Sequence, residues 1–151
     1  MLRFAATIGL LMVGSLALCS AARADDKPTY TDLSNGGRIE VTYVLDKVTR
    51  NGREVTFALT ATLDKGGDRK FNYFKMHAVD TKGKSYKDIE INYVRPGIYG
   101  LKDVELSEGV ATGLEFTVKL PEGVTHLKTV DFTSAAVGRR AIKFTKIDIP
   151  E

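Results

Sequence analysis

Gly113-Leu114-Glu115-Phe116-Thr117-Val118-Lys119-Leu120-Pro121 decides how the rest of the chain is read. Leu114, Phe116, Val118 and Leu120 recur at every second position with Glu115, Thr117 and Lys119 between them, and the period of a strand puts the four apolar side chains on one face. The stretch is a half-buried β-strand. Burying those four side chains contributes roughly 1.5–3 kcal/mol each before chain entropy is subtracted, so the segment is core and not a site.

The same period extends in both directions. Downstream, Pro121-Glu122-Gly123 ends the strand, Leu127 to Thr133 carries Val130 and Phe132 inward, and a turn with Gly138-Arg139-Arg140 leads to Ala141–Ile149. There the apolar parity changes between Ile142/Phe144 and Ile147/Ile149, which predicts a β-bulge. Upstream, Ile39, Val41, Tyr43 and Leu45 open a first strand ending near Val48, and Asn51-Gly52 predicts a hairpin into Val55, Phe57, Leu59, Ala61 and Leu63. Asp64-Lys65-Gly66-Gly67-Asp68 closes that strand. The run Lys70–Val79 is expected to place Phe74, Met76 and Ala78 on one side and Phe71, Tyr73, Lys75 and His77 on the other. Asp80-Thr81-Lys82-Gly83-Lys84 turns into Ser85–Val94, with Ile89, Ile91 and Tyr93 in phase. Arg95-Pro96-Gly97 reads as a tight turn, and Ile98–Leu106 fits either an edge strand or an apolar loop. Seven or eight short strands at this spacing, with no helical period, predict an all-β antiparallel sandwich.

Residues 1–24 read as a signal peptide. Arg3 gives a positive start, Phe4–Leu18 is an apolar run, and Ala22-Arg23-Ala24 is the small-x-small pattern of a cleavage site. The run is shorter than the about 20 residues of a membrane span, so no stable span is expected in the mature chain. Cys19 follows Leu18 and not a small residue, so lipid anchoring there is not expected. Cleavage after Ala24 leaves a chain with no cysteine and no disulfide. The domain assignment is then 1–24 signal peptide, 25–37 a polar, turn-rich leader arm, and 38–151 the β-sandwich domain. The whole chain holds 22 Lys plus Arg against 19 Asp plus Glu. Without Arg3 and Arg23 the balance is 20 to 19 (22 minus 2), which gives no electrostatic case for nucleic acid.

The run Leu106-Ser107-Glu108-Gly109-Val110-Ala111-Thr112-Gly113-Leu114-Glu115-Phe116-Thr117-Val118 with Pro121, and the upstream Val79-Asp80-x-x-Gly83-x-x-Tyr86, resembles the secreted immunoglobulin-like β-sandwich domains of bacterial lipoproteins and exported proteins, a largely uncharacterised family. The resemblance spans about Arg38 to Ile149. It implies an immunoglobulin-like fold and an export route, and it brings no catalytic residues. The chain departs from the lipoprotein pattern at Cys19.

The chemistry-bearing residues are sparse. There is no Gly-x-Ser-x-Gly elbow, and His77 and His126 are the only neutral-pH bases; Ser134 near His126 makes no triad. Met76, His77 and His126 suggest a copper site by ligand type, but neighbouring strand residues point to opposite faces. Asp64 and Asp68 around Gly66-Gly67 could hold calcium only weakly, and a plain turn is the simpler reading. Asp88 and Glu90 are expected on one strand face about 6.6 Å apart, as in a glycosidase pair, although Lys87 and Asn92 describe a solvated face. The absence of Trp argues against sugar stacking.

One contact surface remains: Tyr93, Arg95, Ile98 and Tyr99, beside the rigid Pro96-Gly97 turn, are side chains of the kind enriched in interface hot spots. The other reading makes Ile98 and Leu101 a plug for the end of the sandwich. Arg139, Arg140, Lys143 and Lys146 read as a solvated basic edge. The expectation is a periplasmic or secreted, non-enzymatic module, without cofactor, that binds another envelope protein. The alternative is a small-ligand or metal carrier, for copper or calcium.

Overall fold

The computed structural model describes residues 27–91, 93–95, 103–134 and 141–151, and among these every helix-or-strand element is a strand. In chain order they are β1 (Thr29–Ser34), β2 (Ile39–Asn51), β3 (Glu54–Lys65), β4 (Arg69–Asp80), β5 (Ser85–Glu90), β6 (Tyr93–Arg95), β7 (Asp103–Leu106), β8 (Ala111–Lys119), β9 (His126–Ser134) and β10 (Ala141–Asp148). One sheet has the order β1-β2-β3-β8-β6 and the other β10-β9-β4-β5, while β7 pairs with the start of β4. Every pairing between these strands is antiparallel, as the short turns between neighbours require.

The quoted stretch lies in the centre of the core. Leu114, Phe116, Val118 and Leu120 are each no more than 1% exposed. In the ladder Leu114 faces Leu59, Phe116 faces Phe57 and Val118 faces Val55. Across the gap between the sheets, Phe116 meets Phe132 at 5.0 Å and Tyr73 at 4.8 Å, and Phe57 meets Phe132 edge-on at 5.2 Å between ring centroids. Inclined rings at these separations attract one another beyond the area they bury. The Tyr43 and Tyr73 hydroxyls hydrogen-bond at 3.1 Å inside the core and join β2 to β4. Burial, with the charge of Asp32 acting in the same sense, pushes both phenols above the ordinary tyrosine range.

Several local expectations need correction. The segment 25–37, read as a leader arm, contains β1, which pairs with β2 from Thr29↔Val44 to Ser34↔Ile39. Composition hid it because its inward residues are Tyr30, Asp32 and Ser34. The first strand does not end near Val48 but continues to Asn51. Asn51 pairs with Glu54, so the hairpin loop is Gly52-Arg53, with a positive φ of 57° at Gly52 only. That is the glycine-first class of two-residue turn, in which the asparagine belongs to the strand.

The expected two faces of β4 fail at Phe74, whose side chain lies outside the described set. Tyr73 pairs with Ser134 and Lys75 with Thr133, so β4 carries one extra residue there. The bulge turns the strand over and puts Phe71 and Tyr73 in the core together with Met76 and Ala78. The run 85–94 is not one strand either. β5 belongs to the second sheet and β6 to the first, with buried Ile91 between them. In the last strand the parity change is present, with Lys146 at a φ of 57°. The register of β10 on β9 is nevertheless unbroken, Thr145↔Thr129 and Ile147↔Leu127. The extra residue is Lys128 on β9, measured against β4, and β10 follows its neighbour. The ambiguous stretch 98–106 ends in strand β7. Residues 1–24 with Cys19, the turn residues 96–97, and the basic residues Arg139 and Arg140 lie outside the described residues.

Phe132 touches both Phe57 and Phe116 and has no substitute at the centre of the core. Phe132→Ala is expected to lower the unfolding free energy by about 3–5 kcal/mol in urea titrations followed by circular dichroism. Lys143→Ala, on an exposed position of β10, should stay within about 0.5 kcal/mol.

Candidate functional site

The polar groups of the described residues gather where the β4–β5 and β8–β9 turns meet. Asp80 ends β4, and its carboxylate organises the first of these turns. Oδ1 accepts the N–H groups of Lys82 at 2.9 Å and Lys84 at 2.8 Å, and Oδ2 accepts the Tyr86 hydroxyl at 3.1 Å. Gly83 takes a φ of 82° and donates to the Asp80 carbonyl at 3.1 Å. The spacing Asp80-x-x-Gly83-x-x-Tyr86 is therefore that of a self-locking turn: acceptor, left-handed residue, hydroxyl donor. Burial raises the carboxyl, but the hydrogen bonds from Lys84, Tyr86 and Lys82 outweigh it and hold Asp80 below the usual carboxylate range.

The facing loop, 120–125, is held from β2. Arg50 donates through Nη1 to the Val124 carbonyl at 2.9 Å and through Nη2 to the Pro121 carbonyl at 3.1 Å. Between the two turns lies an open cleft of about 290 Å3, whose walls include Lys82, Lys84, Tyr86, Glu122, Thr125 and His126. The Lys84 ammonium lies 5.3 Å from the centre of the Tyr86 ring, within cation–π range.

The histidines are placed apart. Met76 is fully buried in β4, while His77 is on the outer face opposite Asp131 and accepts the Asp88 N–H on Nδ1 at 3.2 Å. His126 begins β9, with Nδ1 2.8 Å from the Thr125 hydroxyl and Nε2 3.5 Å from Asp148. The hydroxyl–imidazole–carboxylate order looks like a triad. However, the His126 and Asp148 side chains are 60% and 86% exposed, and nothing fixes ring orientation as the buried aspartate of a working triad does. Among the described residues no three His, Cys, Asp or Glu side chains converge.

The acidic turn is also taken up by its own surroundings. Asp64 accepts the Thr42 hydroxyl at 2.7 Å, and Asp68 accepts the Glu108 N–H at 3.0 Å. Glu108 in turn accepts the N–H groups of Gly66 at 3.1 Å and Gly67 at 2.6 Å, so an amide pair exposed by two glycines is filled by a carboxylate of this chain. Asp88 takes a φ of 53° in a bulge of β5 and forms an ion pair with Lys75 at 3.0 Å. The Lys75 hydrogen bond and charge hold its carboxyl low. The strand alternation that was to set Asp88 beside Glu90 is broken there, and a lowered carboxyl is the opposite of a general acid.

Of the expected contact loop, Tyr93 and Arg95 are on β6, opposite Thr117 and Glu115 of β8, and Ile98 and Tyr99 lie outside the described residues. Lys143 and Lys146 are exposed on β10. Sequence reasoning missed Arg50 and Glu108. Both act on backbone groups more than 40 positions away, and no local pattern carries such a pairing.

Compared with known proteins, the chain matches no family model, no curated protein and no solved structure.

The lowered carboxyl of Asp80 fixes the sign of a pH effect. Its contribution to stability is whole above the unfolded value of about 4 and is lost as pH falls through the depressed native value. Asp80→Asn should therefore melt lower than the parent at pH 7, and the gap should close as thermal scans are taken down to about pH 2.

Proposed function

We propose that the chain is an exported, non-enzymatic module of immunoglobulin-like β-sandwich type, periplasmic or secreted, that works by binding another envelope protein through the β6 edge. The sheet orders β2-β3-β8-β6 and β10-β9-β4-β5 support the immunoglobulin-like assignment, since the third and fourth, eighth and ninth elements interleave between sheets as in that arrangement. The observation that carries the binding reading is the position of β6. It is the outermost described strand beside β8, three residues long, and it holds Tyr93 and Arg95 at a sheet edge. A sheet edge with unpaired backbone groups is where a second chain can add a strand, and aromatic and arginine residues anchor such contacts. The acidic groups that would otherwise suggest catalysis are each engaged by this chain: Asp80 within its own turn, Asp64 by Thr42, Asp68 by the Glu108 N–H and Asp88 by Lys75.

A photo-crosslinker at position 93 in envelope extract should capture one defined partner, and Arg95→Ala should weaken its binding about tenfold or more, as loss of a hot spot does. Equal capture by the parent and Arg95→Ala would count against the assignment.

A second reading, a small-ligand carrier, is favoured by the cleft between Lys84 and His126. It predicts a raised melting temperature with copper, zinc, calcium or a small dicarboxylate, because a ligand of the folded state stabilises by RT ln(1 + [L]/Kd). A flat response to that panel would remove it.

A further inference from the structure

The bulge of β5 is held by a bond that a proton can break. Met76 pairs with Ile89 and Ala78 with Tyr86, so two residues of β5, Lys87 and Asp88, stand against His77 alone. A bulge of this kind leaves one residue without its place in the ladder. Here Asp88 takes a left-handed φ of 53°, and its N–H donates to the His77 side chain, at Nδ1, at 3.2 Å. An N–H can donate only to a ring nitrogen that carries no hydrogen of its own. The bond therefore selects the neutral imidazole with its hydrogen on Nε2.

The charges around the ring favour the other form. His77 stands between two carboxylates, Asp131 of β9 on one side and Asp88 of β5 on the other. Lys143 of β10 pairs with Asp131 in the same row. Lys75, two residues back on β4, holds the Asp88 carboxylate at 3.0 Å and pairs in the ladder with Glu90. Lys87 is the remaining charged residue of β5 beside the ring. Lys75, by hydrogen bond and charge, and after it the charge of His77 hold the Asp88 carboxyl low. That carboxyl is thus ionised throughout the range of about pH 8 to 5 in which imidazoles take up a proton. Asp88 offers the ring two groups of opposite kind, an N–H that needs a bare Nδ1 and a carboxylate that attracts a protonated one. Nδ1 can serve only one of them at a time.

We propose that His77 and Asp88 form a two-state clasp on β5, driven by one proton. In the state of the structure Nδ1 accepts the Asp88 N–H while Lys75 holds the Asp88 carboxylate. When a proton from solvent binds Nδ1, that nitrogen becomes a donor and the bond from the Asp88 N–H breaks. The imidazolium then takes the carboxylate from Lys75, and the Asp88 N–H and the Lys75 ammonium pass to water. β5 ends the described strand order β10-β9-β4-β5, so both groups are released at the outer strand. The core is not disturbed, because Met76 and Ala78 on either side of His77 face inward and are buried.

Nuclear magnetic resonance of the purified protein between about pH 8 and 5 tests this. At the upper end, long-range nitrogen–proton correlations of the His77 ring should report a bare Nδ1 and a hydrogen on Nε2. Hydrogen exchange at the Asp88 amide, corrected for its intrinsic dependence on pH, should lose about tenfold or more of its protection as the His77 ring titrates, while the β3–β8 ladder keeps its own. His77→Asn has a side-chain oxygen that accepts an N–H at either pH, and it should remove the pH dependence at Asp88; His126→Asn should leave that dependence in place. A ring with its hydrogen on Nδ1 at the upper end overturns the proposal. So does an Asp88 amide that keeps its protection after the ring has titrated, or a His77→Asn variant with the full pH dependence of the parent.

Discussion

Four rings set the distance between the sheets. Phe57 and Phe116 come from one sheet, Tyr73 and Phe132 from the other, with centroid separations of 4.8–5.2 Å in the contacts that cross between them. Each ring is too large to move without its neighbours, and packing at crystal-like density passes that constraint outward. The strands next to them in the ladder are held in register because a slip by one residue would turn Phe116 or Phe57 into solvent. β8 supplies the middle of this arrangement, which is why its alternation is the cleanest in the chain.

Alternation was legible wherever a strand lies between two others and buries one face for its whole length, as in β3 and β8. It was misread wherever a strand changes partners. β4 leaves β7 for β5 while pairing with β9, and the extra residue at Phe74 reverses its faces midway. A single sequence contains no statement of partner, so alternation sets Phe71 and Tyr73 on the side opposite Met76 and Ala78, although all four are buried. β1 failed for a different reason: Asp32 and Ser34 are inward, and a polarity rule places such residues in solvent. The last strand shows the limit of the method. Its parity change is visible in Ile142/Phe144 against Ile147/Ile149 and falls at Lys146, yet the extra residue against β4 at that level is Lys128 on the neighbouring strand.

The turns were legible as turns but not as locks. Asp80, Gly83 and Tyr86 stand at a spacing the resemblance had singled out, and their hydrogen bonds explain that spacing without a ligand. Asp64-Lys65-Gly66-Gly67-Asp68 reads as a plain turn, with a weak calcium site as the alternative. What the two glycines expose is a pair of N–H donors, and the group that fills it is an anion, Glu108. The acids stand in the sequence, whereas the amides that Glu108 fills are implicit in every residue.

The chain thus divides by how its polar groups are satisfied. At the turn ends, carboxylates meet backbone N–H groups within a few ångströms, and Arg50 closes the 120–125 loop onto two carbonyls. Rigidity there comes from charge-assisted hydrogen bonds, which shorten and strengthen where the partners are fixed. Along β1 the reverse holds: a buried hydroxyl without a partner, an exposed leucine, and three successive left-handed residues behind them. β1 is thus the strand whose inward residues match the core least. That difference has one origin, the placement of Asp32 and Ser34 where the neighbouring strands carry valine, leucine and phenylalanine.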